Sequence, residues 1–297
     1  MDINFELYKV FYYVATTLSF SEASRKLFIS QSAVSQSIKV LEKRLNQTLF
    51  IRSTKKVRLT KEGELLFKHI EPAVNLILQG ENQILVGQSL NGGQLRIGAS
   101  DTICRYYLVP YLNRFHKQYP DIHIKVTNGT SMQCVEFLEN NQVDLIVVNA
   151  PNARLNTLSH VTELCAFEDV FVASKEAFAP LLDSPVTLEQ LGNQPILMLE
   201  SHSTTSVFLH HLFLEHQLEL APAVELSSND LLIDLARIGL GIAFVPKYCV
   251  SENDTELSIL ELTEALPKRR ICAAYNEHFS ANGAAGIFLN MLSQNNN

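Results

Sequence analysis

The chain has 297 residues, 46% of them hydrophobic and 19% charged, with a net charge of −7. At roughly 100–200 residues per domain this is enough for two or three folded units. It is too apolar for a mainly disordered chain, and no stretch approaches the roughly 18–20 uninterrupted apolar residues of a membrane-spanning helix. The charge is unevenly spread: residues 1–65 hold eleven Lys/Arg against six Asp/Glu, and the rest thirteen against twenty-five. A basic head on an acidic body is expected when only one end of a protein meets an anionic polymer.

Three helices are expected in the head. The first carries Phe5, Tyr8, Phe11, Tyr12 and Ala15 at spacings of three and four, one apolar face. The second opens on Ser19-Phe20-Ser21-Glu22, a capping-box pattern in which hydroxyl and carboxylate satisfy each other's backbone N–H groups, and Phe28-Ile29-Ser30 ends it. The third has Ser30 as N-cap and Val34, Ile38, Leu41 and Leu45 as its apolar stripe. Its other face is Gln31, Ser32, Ser35, Gln36 and Lys39, hydrogen-bonding groups where an ordinary surface helix has Glu and Lys. Gln pairs with an adenine edge, and Ser reads bases or phosphates. Two short helices about a tight turn, the second with such a face, form a helix-turn-helix, with a merely solvated helical hairpin as the alternative.

Thr48-Leu49-Phe50-Ile51-Arg52 and Val57-Arg58-Leu59-Thr60 then flank the turn Ser53-Thr54-Lys55-Lys56. This reads as a small β-hairpin, a wing, with Arg52, Lys55, Lys56 and Arg58 placed along phosphates. Such contacts supply salt-dependent affinity rather than sequence choice. The pattern Ser19-Phe20-Ser21-Glu22-Ala23-Ser24, Leu27, Ser30-Gln31-Ser32-Ala33-Val34-Ser35, Ile38, Leu41-Glu42, Leu45, Leu49-Phe50, Arg52, Leu59-Thr60 and Gly63 resembles the signature of LysR-type transcriptional regulators. Ser24 stands where a second Ala is usual, and Asn46 where Gly is frequent. The resemblance implies a dimeric or tetrameric protein that binds double-stranded DNA, a C-terminal module that senses a small-molecule effector, and RNA polymerase as a further partner. Gln31, Ser32, Ser35, Gln36 and Lys39 are then the candidates for sequence readout, with Ser30 a further DNA-binding candidate.

From Thr60 to about Leu90 the pattern is again helical, with Leu65, Leu66, Ile70, Leu76, Ile77, Ile84 and Leu85 among its apolar residues, and Pro72 is expected to kink it. So many apolar groups on a segment leaving a small domain imply either a partner helix or packing on its own domain, and the resemblance implies the former, the same helix of another subunit. After Asn91-Gly92-Gly93 strands are expected at 94–99, 122–126 and 143–148, with helices at 106–118 and after Asn128-Gly129-Thr130-Ser131. A second unit has strands at 167–173, 196–199, 223–226 and 239–246 with helices at 205–217 and 230–238. A returning strand at 270–274 and a helix at 281–293 close the chain. The expected fold is α/β: a winged helix-turn-helix at 1–60, a linker helix at 61–90, and a two-lobed effector-binding module at 91–297 resembling type 2 periplasmic binding proteins. Lobe I takes about 91–162 and 267–297, and lobe II about 163–266.

In open α/β sheets ligands collect beyond the carboxyl ends of strands, against helix N-termini. Ser100 and Thr102, Thr130 and Ser131, and Ser203 and Thr205 occupy such loops, with Asn149 following the third strand. Together they suit a carboxylate or another small anion, although Ser and Thr are also the ordinary N-caps. Asp101 argues against a highly charged anion unless a cation offsets it, and His202 is a further donor in its loop.

Other chemistry finds little support. His210-His211 with Glu215-His216 lacks the H-E-x-x-H spacing of a zinc site, and Gly239-Leu240-Gly241 has Phe244 where a third dinucleotide-binding glycine would stand. Neither a catalytic constellation nor a cofactor is expected. The five cysteines (104, 134, 165, 249, 272) form no C-x-x-C pair and suit a reducing compartment, Cys104 being the one near a ligand loop. Met1-Asp2-Ile3-Asn4-Phe5-Glu6 lacks the basic and apolar regions of a secretory signal, so a cytoplasmic location with no membrane contact is expected. The rival from another class is a small-molecule-binding α/β protein or enzyme with an incidental helical head.

Overall fold

The structure is a computed structural model that describes residues 3–52, 56–85, 93–276, 279 and 283–294, with side chains described for all of these but 79 and 82–85. The chain divides into two compact units, Met1–Gly87 with Asn140–Gln142, and Gln88–Glu139 with Val143–Asn297.

In the first unit, the head, helices α1 (Phe5–Thr17), α2 (Phe20–Leu27) and α3 (Gln31–Leu45) precede a hairpin of β1 (Phe50–Arg52) and β2 (Val57–Leu59). The buried stripe of α1 is Val10, Phe11, Val14 and Ala15, whereas Phe5, expected on that face, is exposed. The aromatic spacing points away from the true stripe because Tyr12 is only half-buried, its hydroxyl donating to Asn75 Oδ1 at 3.1 Å. At α2 the Ser19 hydroxyl accepts from the Glu22 N–H as expected, but the Ser19 N–H donates to Thr17 Oγ1 at 3.3 Å, so Thr17 takes the place of the Glu22 carboxylate. Helix α3 buries Val34, Ile38 and Leu41 and half-buries Leu45. Phe11, Phe20 and Phe50 pack at the centre, their ring centroids 5.4 and 5.8 Å apart.

All three helices end on a left-handed residue that is not glycine: Leu18 (φ 49°), Phe28 (φ 55°) and Asn46 (φ 52°). Each turns the chain sharply while its N–H satisfies a carbonyl of the last turn. Helix α4 (Lys61–Leu85) runs through Pro72 without interruption. Proline removes one hydrogen bond from a ladder of many, and the neighbouring turns keep the rest. Its first turn is held by Thr60, whose hydroxyl accepts from the Gly63 N–H and donates to Thr48 O. A Cβ at Gly63 would lie 2.2 Å from Leu49 O, so only glycine lets helix and hairpin approach this closely.

The second unit, the body, has two five-stranded sheets. Its elements in chain order are β3 (Gln94–Ala99), α5 (Asp101–Ile103) continuing through a π-helical turn (Cys104–Leu108) into α6 (Val109–Gln118), β4 (His123–Asn128), α7 (Ser131–Glu139), β5 (Leu145–Ala150), β6 (His160–Phe167), β7 (Asp169–Ser174), α8 (Leu188–Gly192), β8 (Ile196–Leu199), α9 (Thr204–Glu215), β9 (Pro222–Leu226), α10 (Asn229–Arg237), β10 (Ile242–Pro246), β11 (Leu257–Ile259), β12 (Arg269–Tyr275) and α11 (Ala284–Ser293). Lobe I has the order β4-β3-β5-β12-β6, its first three strands parallel and β12 antiparallel to both neighbours. Lobe II has the order β11-β7-β10-β8-β9. Strand β5 buries Leu145 to Val148 completely, as befits a strand covered on both faces.

The apolar run expected as one strand at 167–173 is two: β6 stays paired to β12 through Phe167, and β7 begins at Asp169 in the other sheet. The chain therefore leaves lobe I at Glu168, later than the expected 162/163, and returns between Ile259 and Arg269. Strands β6 and β11 have no counterpart in the sequence reading, and the helix expected at 106–118 starts already at Asp101.

Candidate nucleic-acid interface and ligand cleft

On the head, burying Val34, Ile38 and Leu41 turns the opposite face of α3 outward. Ser30, Gln31, Ser32, Gln36 and Lys39 are exposed and Ser35 half-buried, so the six candidates share one free surface. The Ser30 hydroxyl caps the helix by accepting from the Ala33 N–H at 3.2 Å and lies 2.9 Å from the Ser32 hydroxyl. Among the described residues neither Gln31 nor Gln36 has its amide engaged within the head, and both amides suit a base edge.

The wing splits the expected cations. Arg52, Lys56 and Arg58 are all exposed, and Lys55 lies outside the described residues. Arg52 is placed differently. The register Phe50↔Leu59, Ile51↔Arg58, Arg52↔Val57 puts Arg52 on the face of Phe50, opposite Ile51 and Arg58. Its guanidinium stacks 4.4 Å over the Phe20 ring and pairs with Glu42 Oε2 at 3.8 Å, while Glu42 Oε1 accepts from the N–H groups of Leu49 (2.9 Å) and Phe50 (3.3 Å). Glu42 is thus a buttress between α3 and the wing that the sequence reading missed, and Arg52 is fastened to it.

In the body the candidates gather at the carboxyl edges of both sheets. Ser100 caps α5 by accepting from the Ile103 N–H (3.3 Å), Thr130 accepts from the Gln133 N–H (3.2 Å), and Ser203 caps α9 by accepting from the Ser206 N–H (2.9 Å). In each case the oxygen accepts one bond and keeps its O–H donor and a second lone pair to offer. Thr102 Oγ1 accepts from Asn229 Nδ2 at 2.9 Å, a bond from lobe II to lobe I. Beside it Asp230 accepts from the Tyr106 hydroxyl (2.5 Å) and from Arg105 (3.1 Å). Ser131 is buried, its hydroxyl accepting from the Asn149 N–H at 3.1 Å, and Asn149 Oδ1 is buried without a partner.

Thr205 leads to the residue that sequence reasoning overlooked. Its hydroxyl accepts from Arg269 Nη1 at 3.0 Å, and Thr204 accepts from Nη2 at 3.2 Å. Arg269 begins β12 in lobe I, is 1% exposed, pairs with Asp169 at 3.1 Å, and is sandwiched between Phe167 and Phe208 at 5.2 and 5.1 Å. Burial pushes the Asp169 carboxyl up, and the guanidinium pulls it back. Arg269 Nε, Asp169 Oδ1 and Ser206 Oγ are buried without partners. A guanidinium paired with a carboxylate therefore lies against the first turn of α9. The lobe II hydroxyls reach lobe I through Arg269 rather than through the other candidates.

Burial raises the Cys104 thiol to about 11, with Asp101 adding to it, so at neutral pH it is a thiol and not a nucleophilic thiolate. His202, His210, His211 and His216 are exposed, and no group of three or more metal-binding side chains occurs among the described residues. No helix of the described residues is long and apolar enough to cross a membrane.

Residues 5–64 match the bacterial regulatory helix-turn-helix protein, lysR family, and residues 88–297 the LysR substrate binding domain. The HTH-type transcriptional activator CmpR of Synechocystis sp. is 31% identical over 246 residues, 82% of this chain and 79% of that protein. The HTH-type transcriptional regulator YeiE of Escherichia coli is 29% identical over 90% of this chain and 89% of its own. Among solved structures, full-length OxyR from Pseudomonas aeruginosa superposes with a TM-score of 0.72 at 17% identity, covering 99% of this chain and 94% of that one. The LysR family regulator CbnR complexed with its target DNA gives 0.68 at 16%, covering 98% and 99%. Structural likeness at such identities carries the fold, and the matched domains carry the family. The chain belongs to the LysR family of bacterial transcriptional regulators, DNA-binding proteins with an N-terminal helix-turn-helix and a C-terminal effector-binding domain.

Proposed function

We propose that α3 reads the operator through Gln31, Ser32, Ser35, Gln36 and Lys39, with Ser30 at its N-cap, while Lys55, Lys56 and Arg58 of the wing grip phosphates. Arg52 acts indirectly, by holding the wing to Phe20 and Glu42. The apolar side chains exposed on α4, Leu65, Leu76, Ile77 and Leu78, pack against the same helix of a second subunit, giving the dimer a two-fold operator requires. The effector is a small anion held between the lobes by Ser100, Thr102, Thr130, Ser131, Asn149, Ser203 and Thr205. It works in the cytoplasm, without catalysis, by changing how the DNA-bound oligomer acts on RNA polymerase.

One observation carries the anionic class: the capping hydroxyls of Ser100, Thr130 and Ser203 keep O–H groups to donate at the carboxyl edges of the two sheets. A ligand at Thr102 takes over the bond now made by Asn229, which couples binding to the lobes' mutual position. The test is a thermal-shift screen of the intact chain with small mono- and dicarboxylates and inorganic anions, followed by mobility shifts on the DNA upstream of its own gene. A true effector raises the melting temperature by mass action and alters the DNA complex. A screen in which only neutral or cationic compounds stabilise the chain overturns the anionic reading.

A further inference from the structure

The head carries an aromatic side chain that its own fold does not use. Phe28 ends α2 and is 94% exposed, more than any other large apolar residue described. It also sits at φ 55°, a backbone conformation that asparagine and glycine adopt far more readily than an aromatic residue. Its N–H bonds to the carbonyls of Ser24 and Arg25, and the N–H of Ile29 bonds to Ser24 O at 3.1 Å, so the backbone that aims the ring is fixed. The ring contributes neither packing nor relief of strain to the free protein.

Its position gives it another use. Phe28 lies just before Ser30, the N-cap of α3, and follows the exposed cations Arg25 and Lys26 at the end of α2, with exposed Ile29 beside it. In a helix-turn-helix the first helix crosses the sugar-phosphate backbone while the N-terminus of the second enters the major groove, so the turn between them lies at the groove edge. Cations flanking a phenyl ring suit that edge, where phosphates adjoin the one apolar group the major groove displays, the C5-methyl of thymine. We propose that Phe28 is a specificity-determining DNA contact that packs on the methyl group of a thymine flanking the bases read by α3. The proposal rests on the assignment of α3 as the reading helix and adds a position to the operator.

The test uses the intact chain. Duplexes selected from a randomised pool by the wild-type protein should carry a thymine at a fixed place beside the α3-read bases. The Phe28→Asn variant should select the same inner bases with no thymine there. Replacing that thymine by deoxyuridine, which lacks only the methyl, should weaken wild-type binding about fourfold, the worth of one buried methyl, and leave Phe28→Asn unaffected. Because asparagine suits a left-handed cap, Phe28→Asn should melt at the wild-type temperature or above, separating a lost contact from a lost fold. An unchanged selected motif with unchanged affinity overturns the proposal. So does a variant that binds DNA normally and fails only in transcription, which would assign the ring to RNA polymerase. If the wild type selects no sequence at all, the reading of α3 falls with it, whereas inner bases selected without a flanking thymine sink Phe28 alone.

Discussion

On the head, the residues with candidate roles stand on one helix and one hairpin, are mostly exposed, and make few bonds to the rest of the chain. In the body, they come from strand ends spread over more than a hundred positions, and most are already bonded or buried. Thr205, Thr204 and Asp169 all hold Arg269, Ser131 holds the Asn149 backbone, and Thr102 is taken by Asn229. The difference follows from the partners. A duplex brings its own rigid surface, so a protruding polar face suffices. A small ligand brings none, so the protein must build an interior whose polar groups satisfy one another until the guest arrives.

This contrast makes a general prediction: alanine at a body site costs stability, and alanine at a head site that caps or fastens nothing costs only DNA binding. The largest effect is expected at the buried pair. Arg269→Met leaves the Asp169 carboxylate unpaired in the interior and should destabilise the body by about 3–5 kcal/mol, seen as a lowered calorimetric transition of the intact chain. A wild-type melting curve would break the contrast outright. Gln36→Ala should leave the melting temperature alone and cost roughly 1–3 kcal/mol of discrimination at one base pair, measured by competition between operator variants.

Asn229→Ala removes the bond to Thr102 and should cost about 0.5–1.5 kcal/mol of stability. The wing supplies the finest test. Arg58→Ala should weaken binding to every sequence alike and flatten the salt dependence by about one unit of slope, with no thermal effect. Arg52→Ala should behave like a body residue in spite of its place in the head, lowering the melting temperature through about 0.5–1 kcal/mol of lost stacking. Equal salt-slope changes for both arginines would show that Arg52 reaches the phosphates too.

The same contrast explains what was legible beforehand. The stripe Val34-Ile38-Leu41 and the polar face opposite it are local, periodic and contiguous, so the reading of α3 needs no knowledge of the rest of the chain. Arg52 was legible in part: alternation from the inward Phe50 puts it on the inner side, although its charge suggests the opposite. Arg269 was not. It lies 100 residues from Asp169 and 64 from Thr205, and nothing local marks a cation that will be enclosed. The sheet change at Glu168 was hidden for a related reason. The apolar residues on its two sides read as one run, and only the hydrogen bonds of Phe167 and Asp169 to different sheets divide them.

Strand β12 sits between β5 and β6 in lobe I, yet it is made from the last thirty residues of the chain. A ribosome translating this message therefore releases all of lobe II before the sheet of lobe I can close. Until Arg269–Tyr275 emerges, β5 and β6 each present an unpaired edge and lobe II has no guanidinium for Asp169. A premature stop codon anywhere before β12 thus does more than trim a tail, because it removes an inner stave of the first lobe along with the charge that the second lobe encloses.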